Sequence, residues 1–102
     1  MADAYSTRFL AGGGILEQTY VVPAGRVAVV REIDFVNGAQ SASTLRAAID
    51  GYADFALVDT PPVASKQWLG RVVLNAGETL KVYSQSESSW SAVVSGYLLQ
   101  TA

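Results

Sequence analysis

The chain contains no cysteine and no histidine among its 102 residues. Without cysteine it has no disulfide bond, no thiolate metal ligand and no thiol nucleophile, and this composition fits a protein that is assembled in a reducing cytoplasm. Without histidine it lacks the commonest general base and metal ligand of proteins. These two absences favour a binding or structural role over catalysis, so we expect a non-enzymatic protein with no cofactor and no metal.

Charged residues are also scarce, at 16% of the chain, and the net charge is only −2. Because the basic residues are dispersed, no cluster is available to neutralise a phosphate backbone, and nucleic acid is not an expected partner. No apolar run reaches the roughly 18–20 residues of a membrane helix, and residues 1–5 do not resemble a signal peptide. We therefore expect a soluble protein without a membrane partner. Hydrophobic residues make up 50% of the chain, which indicates a large core or apolar surface covered by neighbouring proteins.

Glycine and proline divide the chain into short segments that are rich in β-branched and aromatic residues. We predict one all-β domain over residues 1–102: a single antiparallel β-sandwich, jelly-roll-like, with about eight strands. The predicted strands cover residues 5–10, 15–22, 26–37, 45–49, 52–58, 66–74, 80–83 and 90–99. Helical spacing over residues 45–57 is the alternative for that segment, and the turn signal Asp50-Gly51 argues against it.

Residues 26–37 form the longest predicted strand, and its apolar alternation changes phase. Ala28 and Val30 occupy even positions, whereas Ile33 and Phe35 occupy odd ones. A side-chain period of two does not allow this change without an extra residue. We therefore predict a β-bulge near Arg31, where the strand would bend around a corner of the sandwich.

Three further local predictions concern the strand connections. Gly12-Gly13-Gly14 should end the first strand. Residues 68–99 should form a closing meander, with a tight turn at residues 75–78 and a hairpin tip at residues 84–89. The sequences Val22-Pro23-Ala24-Gly25 and Leu74-Asn75-Ala76-Gly77 both end a strand at Ala-Gly, and we interpret them as two similar turns rather than as a duplication.

Two groups of carboxylates have a chemical and a structural interpretation. Asp50, Asp54 and Asp59 could converge on a calcium ion, but they lack the regular spacing of a calcium loop, which favours solvated turn residues. Glu32 and Asp34 share one face of a strand and could act as an acid–base pair on sugars. An outward-facing polar stripe is the favoured interpretation for them.

The aromatic residues also allow two interpretations. Trp68, Trp90 and the tyrosines could form a sugar-stacking platform. They could instead be core and interface anchors, which we favour because a small sandwich must cover its sheet edges. The candidate interface residues are Tyr5, Phe9, Trp68, Tyr83, Trp90 and Tyr97.

Four segments resemble small virion proteins of tailed bacteriophages. They are residues 20–33 (YVVPAGRVAVVREI), 35–37 (FVN), 68–78 (WLGRVVLNAGE) and 93–99 (VVSGYLL). In that group a VPAG turn leads into a strand that ends near Asn, and an AGE or AGD turn precedes the closing strands. The resemblance implies a jelly-roll-like structural protein of the tail, the tail tip or the capsid surface. It also implies assembly in the host cytoplasm, a location in the virion, and contacts with copies of itself and with other virion proteins.

The closing segment, residues 93–99, is in addition similar to the last strands of the trimeric C1q/TNF-like jelly rolls. That similarity is shorter, and it implies a trimer as the homo-oligomer. The alternative function is a carbohydrate- or receptor-binding β-sandwich module, with a glycan as its partner. Such a module would need exposed aromatic rings beside polar hydrogen-bonding groups.

Overall fold

A computed structural model describes the backbone of residues 4–13, 17–84 and 89–100, and side chains within these ranges except those of residues 4–7 and 10–13. These residues form strands, turns and loops without a helix, and so without a helix long and apolar enough to cross a membrane. The strands are β1 (Ala4–Gly13), β2 (Glu17–Val21), β3 (Arg26–Asn37), β4 (Ser43–Ile49), β5 (Asp54–Thr60), β6 (Ala64–Leu74), β7 (Thr79–Ser84) and β8 (Trp90–Gln100).

The strands form two four-stranded antiparallel sheets that pack face to face. Sheet A has the order β1-β8-β3-β6, and sheet B has the order β2-β7-β4-β5. This order is that of an eight-stranded jelly roll, in which two Greek keys are wound together. The all-β, jelly-roll-like prediction is confirmed, and residues 45–57 form the β4–β5 hairpin rather than a helix.

The predicted closing meander is wrong. β6 and β8 lie in sheet A while β7 lies between β2 and β4 in sheet B, so the chain crosses between the sheets at each connection. For the same reason the segment after Ser84 does not close a hairpin; residues 85–88 themselves lie outside the described residues.

Two turns, at residues 23–26 and 75–78, lie at crossings between the sheets, from β2 to β3 and from β6 to β7. Each has a backbone hydrogen bond across its ends, Arg26 N to Pro23 O at 3.2 Å and Glu78 N to Asn75 O at 3.0 Å. Gly25 and Gly77 occupy equivalent third positions with φ of 76° and 85°, as in a type II turn. Two-residue hairpins favour type I′ or II′ turns instead, because type II geometry splays the strands. Both turns accordingly lead from one sheet to the other, and the prediction of two similar turns is confirmed.

The core lies between the sheets and is built from the inward-facing residues of both. Its largest fully buried hydrophobic side chains are Phe35, Ile33, Leu45, Leu74, Leu80, Val22, Val30, Val82 and Val94. Ala28 and Val30 are buried before the change of phase in β3, and Ile33 and Phe35 are buried after it.

The predicted β-bulge at Arg31 is confirmed, because the register of β3 shifts between Val30 and Glu32. The shift is part of a wider irregularity across sheet A. The three strands use different numbers of residues to cover the same stretch of the sheet. β8 advances by two residues, from Gly96 to Val94, β3 by three, from Val30 to Ile33, and β6 by four, from Val72 to Trp68. Each strand outward from β8 therefore gains one more residue than its neighbour. β3 remains in sheet A along its whole length, so the predicted sandwich corner is wrong.

The predicted end of the first strand at Gly12-Gly13-Gly14 is also wrong for the residues that are described. β1 continues through Gly12 and Gly13, which lie opposite Ala92 and Ser91 of β8. Pairing with a long neighbouring strand compensates for the conformational freedom that these glycines lose. Gly14 lies outside the described residues.

Near these glycines, where Asn37 lies opposite Trp90 of β8, the buried side chain of Asn37 holds two loops together. Its Nδ2 group donates hydrogen bonds to the carbonyl oxygens of Ser41, Thr60 and Pro61 at 2.9, 3.1 and 3.2 Å. Its Oδ1 atom accepts one from Ala39 N at 2.9 Å. A single amide therefore contacts four backbone groups at the end of β5 and in the loops that follow β3 and β5.

Candidate functional site: the outer face of sheet A

The outer face of sheet B is a network of mutually paired polar groups. Asp54 accepts a hydrogen bond from Tyr83 Oη at 2.6 Å and forms an ion pair with Arg46 at 3.3 Å. The ammonium group of Lys81 lies 4.9 Å from the centre of the Tyr83 ring. The hydrogen bond to Asp54 is the main reason that the pKa of Tyr83 is raised above its ordinary value. These contacts pair the charges of Arg46 and Asp54 within the domain.

The calcium interpretation is not supported. Asp54 is occupied by Arg46 and Tyr83, Asp59 accepts a hydrogen bond from Thr44 at 2.7 Å, and Asp50 lies at an exposed turn. Among the residues that the structure describes, no group of three or more acidic side chains is placed to hold a metal ion.

On the outer face of sheet A, exposed large apolar side chains extend over neighbouring strands, whereas the described residues of sheet B expose two, Val21 and Leu57, on its opposite edge strands β2 and β5. Val29 of the central strand β3 lies opposite Val73 on one side and Tyr97 on the other, which creates an apolar row across three strands. The exposed large hydrophobic residues of this face are Val36, Leu69, Val73, Val93 and Tyr97, with exposed fractions from 37% to 67%. We call it the contact face. Exposed apolar surface that extends over neighbouring strands is typical of a binding surface.

The carboxylates of the contact face are joined by an amide. Gln67 of β6 donates hydrogen bonds from Nε2 to Glu32 and to Asp34, the latter at 3.0 Å. All three side chains lie on the outer side of the sheet, and no cleft lies between the two carboxylates. The interpretation as an outward polar stripe is confirmed for this pair.

The irregularity of sheet A opens a cleft of about 800 Å³ on the contact face. It is lined by Arg31, Glu32, Leu69, Gly70, Arg71 and Tyr97. Arg31 donates a hydrogen bond from Nε to the carbonyl oxygen of Gly70 at 2.9 Å, which links the two bulged strands. Within residues 17–84 and 89–100, neither Arg31 nor Arg71 forms an ion pair. The cleft therefore combines an aromatic ring, an aliphatic side chain and two guanidinium groups without a carboxylate partner.

Gly96 of β8 allows this irregularity to form. A Cβ atom at this position would lie 1.9 Å from the carbonyl oxygen of Val29 and 3.0 Å from the amide nitrogen of Arg31. The bulged backbone of β3 thus occupies the space that any other residue would need.

Three of the predicted interface residues are used inside the domain. Trp90 is 3% exposed and Phe9 is 8% exposed, and both belong to the core. Trp68 is half-buried and packs edge-on against Phe55, with 5.3 Å between the ring centres. The tryptophans face the space between the sheets, so they do not form a sugar-stacking platform on the surface. This position corrects the glycan-platform interpretation and leaves Phe9 and Trp90 little surface for a partner.

The three predicted tyrosines have different positions. Tyr83 is half-buried in the polar network of sheet B. Tyr5 lies on β1 opposite Leu98, and its side chain is outside the described residues. Tyr97 is 44% exposed and lines the cleft. The expectation of a partner contact thus stays a prediction, and Tyr97 is the candidate that is best placed for it.

Leu69, Arg71 and Val73 are not among the residues that the sequence pattern predicts for a binding surface. In β6 the inward residues Trp68, Val72 and Leu74 are all even-numbered. Between Val72 and Trp68 this strand has two residues more than β8, and an even number of extra residues does not change which positions point inward. The signal that could have revealed them is the odd-numbered series, in which Leu69 and Val73 occupy outward positions of a strand.

Fold and surface together define a small jelly-roll β-sandwich in which the outer face of sheet B carries an internally paired polar network, and the outer face of sheet A joins an apolar row, a polar stripe and a cleft lined by two arginines. No protein-family model and no curated protein sequence matches the chain. The chain is structurally similar to part of a Podospora anserina GH26-CBM35 β-(1,4)-mannanase, with a TM-score of 0.52, 11% identity, and coverage of 99% of this chain and 28% of that one. A match to an exo-β-1,3-galactanase of Phanerochaete chrysosporium has a TM-score of 0.36 and 13% identity, and covers 97% of this chain and 29% of that one. At this identity the mannanase similarity supports the fold only.

Proposed function

We propose that the chain is a non-enzymatic structural protein that acts through protein–protein contact at the contact face. The observation that supports the proposal most strongly is the difference between the two outer faces. In sheet B Arg46, Asp54 and Tyr83 pair with one another and the exposed Val21 and Leu57 lie on opposite edge strands, whereas sheet A exposes a continuous apolar row and two guanidinium groups without carboxylate partners among the described residues. Aromatic and arginine side chains beside exposed aliphatic groups are the composition that favours protein interfaces.

The setting that we propose is the virion of a tailed bacteriophage, where the chain is repeated on the tail, the tail tip or the capsid. This part of the proposal rests on the sequence resemblance over residues 20–33, 35–37, 68–78 and 93–99. Symmetric repetition would combine modest contacts into stable attachment. The described fold agrees with the jelly-roll sandwich that the resemblance implies.

The test is co-purification of the chain with the proteins encoded next to it, each produced separately. Leu69→Ser combined with Val73→Ser should abolish the capture of at least one of these proteins. The matched control is Leu57→Ser combined with Val21→Ser, which changes side chains of similar exposure on sheet B and should leave capture unchanged. The proposal is wrong if the contact-face variant captures the same proteins as the unmodified chain, or if the unmodified chain captures none.

A second candidate function is carbohydrate binding in the cleft. Tyr97 favours it, because an exposed ring beside two guanidinium groups and Glu32 combines a stacking surface with hydrogen-bonding groups. The fold shared with part of a β-mannanase makes mannan oligosaccharides the natural first probes, in a panel of neutral and acidic oligosaccharides. Binding that is lost in Tyr97→Ala and retained in Trp68→Phe would favour this function. No binding by the unmodified protein at millimolar oligosaccharide would exclude these probes as ligands.

A further inference from the structure

We propose that the cleft of the contact face receives the exposed turn at residues 50–52 of a second copy of this chain. This inference rests on the proposed function, since it names a partner for the face already assigned to protein contact. The partner is identified by charge and shape complementarity between two surfaces of the same molecule.

The cleft carries positive charge that the domain does not neutralise. Arg31 is held across the bulge by its Nε bond to Gly70, and no described residue accepts a bond from its terminal nitrogens. Arg71 lies exposed beside it. Glu32 also lines the cleft, but it accepts a hydrogen bond from Gln67 and forms no ion pair with either arginine, so the lining keeps an excess of one positive charge. The guanidinium groups are therefore available to a carboxylate brought by a partner.

The turn at residues 50–52 presents the complementary groups. Tyr52 is 70% exposed, more than any other large hydrophobic residue in the described parts of the chain. Asp50 is exposed as well, and its carboxylate contacts no other described residue through a hydrogen bond or ion pair. The backbone is fixed by hydrogen bonds from Tyr52 N to Ile49 O at 2.9 Å and from Asp50 N to Thr79 O at 2.8 Å. A rigid backbone therefore displays an unpaired carboxylate and an aromatic ring two residues apart.

The two surfaces match in chemistry and in size. The carboxylate of Asp50 would pair with the guanidinium groups, and the ring of Tyr52 would pack against Leu69 and Tyr97. A cleft of about 800 Å³ has room for one tyrosine side chain and a neighbouring carboxylate. A tyrosine that inserts into a pocket beside paired charges is a common arrangement at the centre of protein interfaces.

The two halves of this contact lie on different parts of the molecule, because the turn joins β4 and β5 of sheet B and the cleft lies on sheet A. Each copy therefore offers one turn and one cleft. Two copies that exchange turns would form a closed dimer, whereas a one-way contact would produce a larger ring if the rotation between copies closes and a filament if it does not.

The experiment uses two variants of the full chain, each of which damages one half of the contact. Asp50→Ser with Tyr52→Ser removes the turn groups, and Arg71→Glu reverses a charge of the cleft. These side chains are exposed and make no described hydrogen bond within the domain, so both variants should fold. Glu17→Ser, which changes an exposed carboxylate of β2, is the matched control.

Sedimentation velocity over a range of protein concentrations is the readout. The unmodified chain and Glu17→Ser should self-associate into a dimer or a larger species, and each damaged variant alone should lose at least tenfold in association constant. An equimolar mixture of the two damaged variants should form a one-to-one dimer and grow no further, because the intact turn of one fits the intact cleft of the other.

Three results would overturn the inference: a monomeric unmodified chain at millimolar concentration, assembly of Arg71→Glu equal to that of the unmodified chain, or a mixture that stays monomeric. The last result would indicate contact between like surfaces instead. If the chain is monomeric while the Leu69→Ser and Val73→Ser variant still loses capture of a neighbouring protein, this inference fails and the proposed function stands. If that capture is also unaffected, both fail.

Discussion

Replacing Gly96 by alanine should destabilise the protein more than its small change in volume suggests. The added Cβ atom would lie 1.9 Å from the carbonyl oxygen of Val29, where real Cβ atoms come no closer than about 3.0 Å. The obstacle is backbone in the middle of sheet A, so β3 and β8 must separate by about 1 Å. This movement weakens the ladder pairs of Gly96 with Val30 and of Ser95 with Glu32. At roughly 1–3 kcal/mol for each buried backbone group left without its partner, we expect a loss of about 3–5 kcal/mol.

The measurement is the free energy of unfolding from urea denaturation, followed by tryptophan fluorescence. Gly77→Ala is the matched control, because its φ of 85° disfavours alanine while no atom lies within 4 Å of the added Cβ. Its cost should be only the backbone strain, about 1–2 kcal/mol. A loss of about 3–5 kcal/mol is a large part of the roughly 5–15 kcal/mol that stabilises a typical domain. If Gly96→Ala loses no more stability than Gly77→Ala, the close approach of the bulge to β8 is refuted.

Three further results are expected. Asn37→Ala should lower the free energy of unfolding in urea by about 2–4 kcal/mol, since it leaves four backbone groups without their partner; a loss under about 1 kcal/mol would contradict the loop-fastening role. Because the pKa of Tyr83 is raised, the folded protein keeps this phenol protonated at pH values where the unfolded chain loses the proton. The stability that comes from its hydrogen bond to Asp54 is therefore fully present below pH 10 and is lost as the pH rises through the raised pKa. Tyr83→Phe should therefore flatten the loss of stability in alkaline urea titrations, and an unchanged profile would contradict this assignment. Leu69→Ser should change the free energy of unfolding by less than about 0.5 kcal/mol, because its side chain is exposed. Leu45→Ala, in the core, should lower the free energy of unfolding by about 2–5 kcal/mol, and a similar loss for both variants would place Leu69 in the core.

The strands of this fold could be predicted from local pattern, because each is bounded by turn residues and each alternates. The bulge in β3 was visible for a simple reason: one extra residue moves the inward positions from Val30 to Ile33, from even to odd numbers. The wider irregularity in β6 was invisible because two extra residues relative to β8 restore the original parity. The even or odd numbering of inward residues therefore reveals an irregularity only when the number of extra residues in the strand is odd.

The pairing of strands could not be predicted in the same way. Consecutive strands usually lie side by side, which is why residues 68–99 were interpreted as a meander. Two-residue hairpins favour turns with positive φ at the first central position, whereas type II turns, with positive φ only at the second, splay the strands. Gly25 and Gly77 have a positive φ at the second central position of their turns. This position could be predicted only if the type of each turn were already known. The cleft was missed for a related reason, since it joins side chains of three strands whose neighbourhood depends on that pairing.

The central position of β8 in sheet A has a consequence for how the chain folds. Tyr5 near one end of the chain lies opposite Leu98 near the other, and β3 pairs with β8 on its second edge. Until the last strand is available, β1 has no neighbour in its sheet and β3 lacks one of its two. Most of the loop-closure entropy must therefore be lost before the pairing energy is gained, which is the property of slow-folding topologies with high contact order. We expect folding on the scale of milliseconds to seconds, with a transition state that already contains the pairing of the first and last strands.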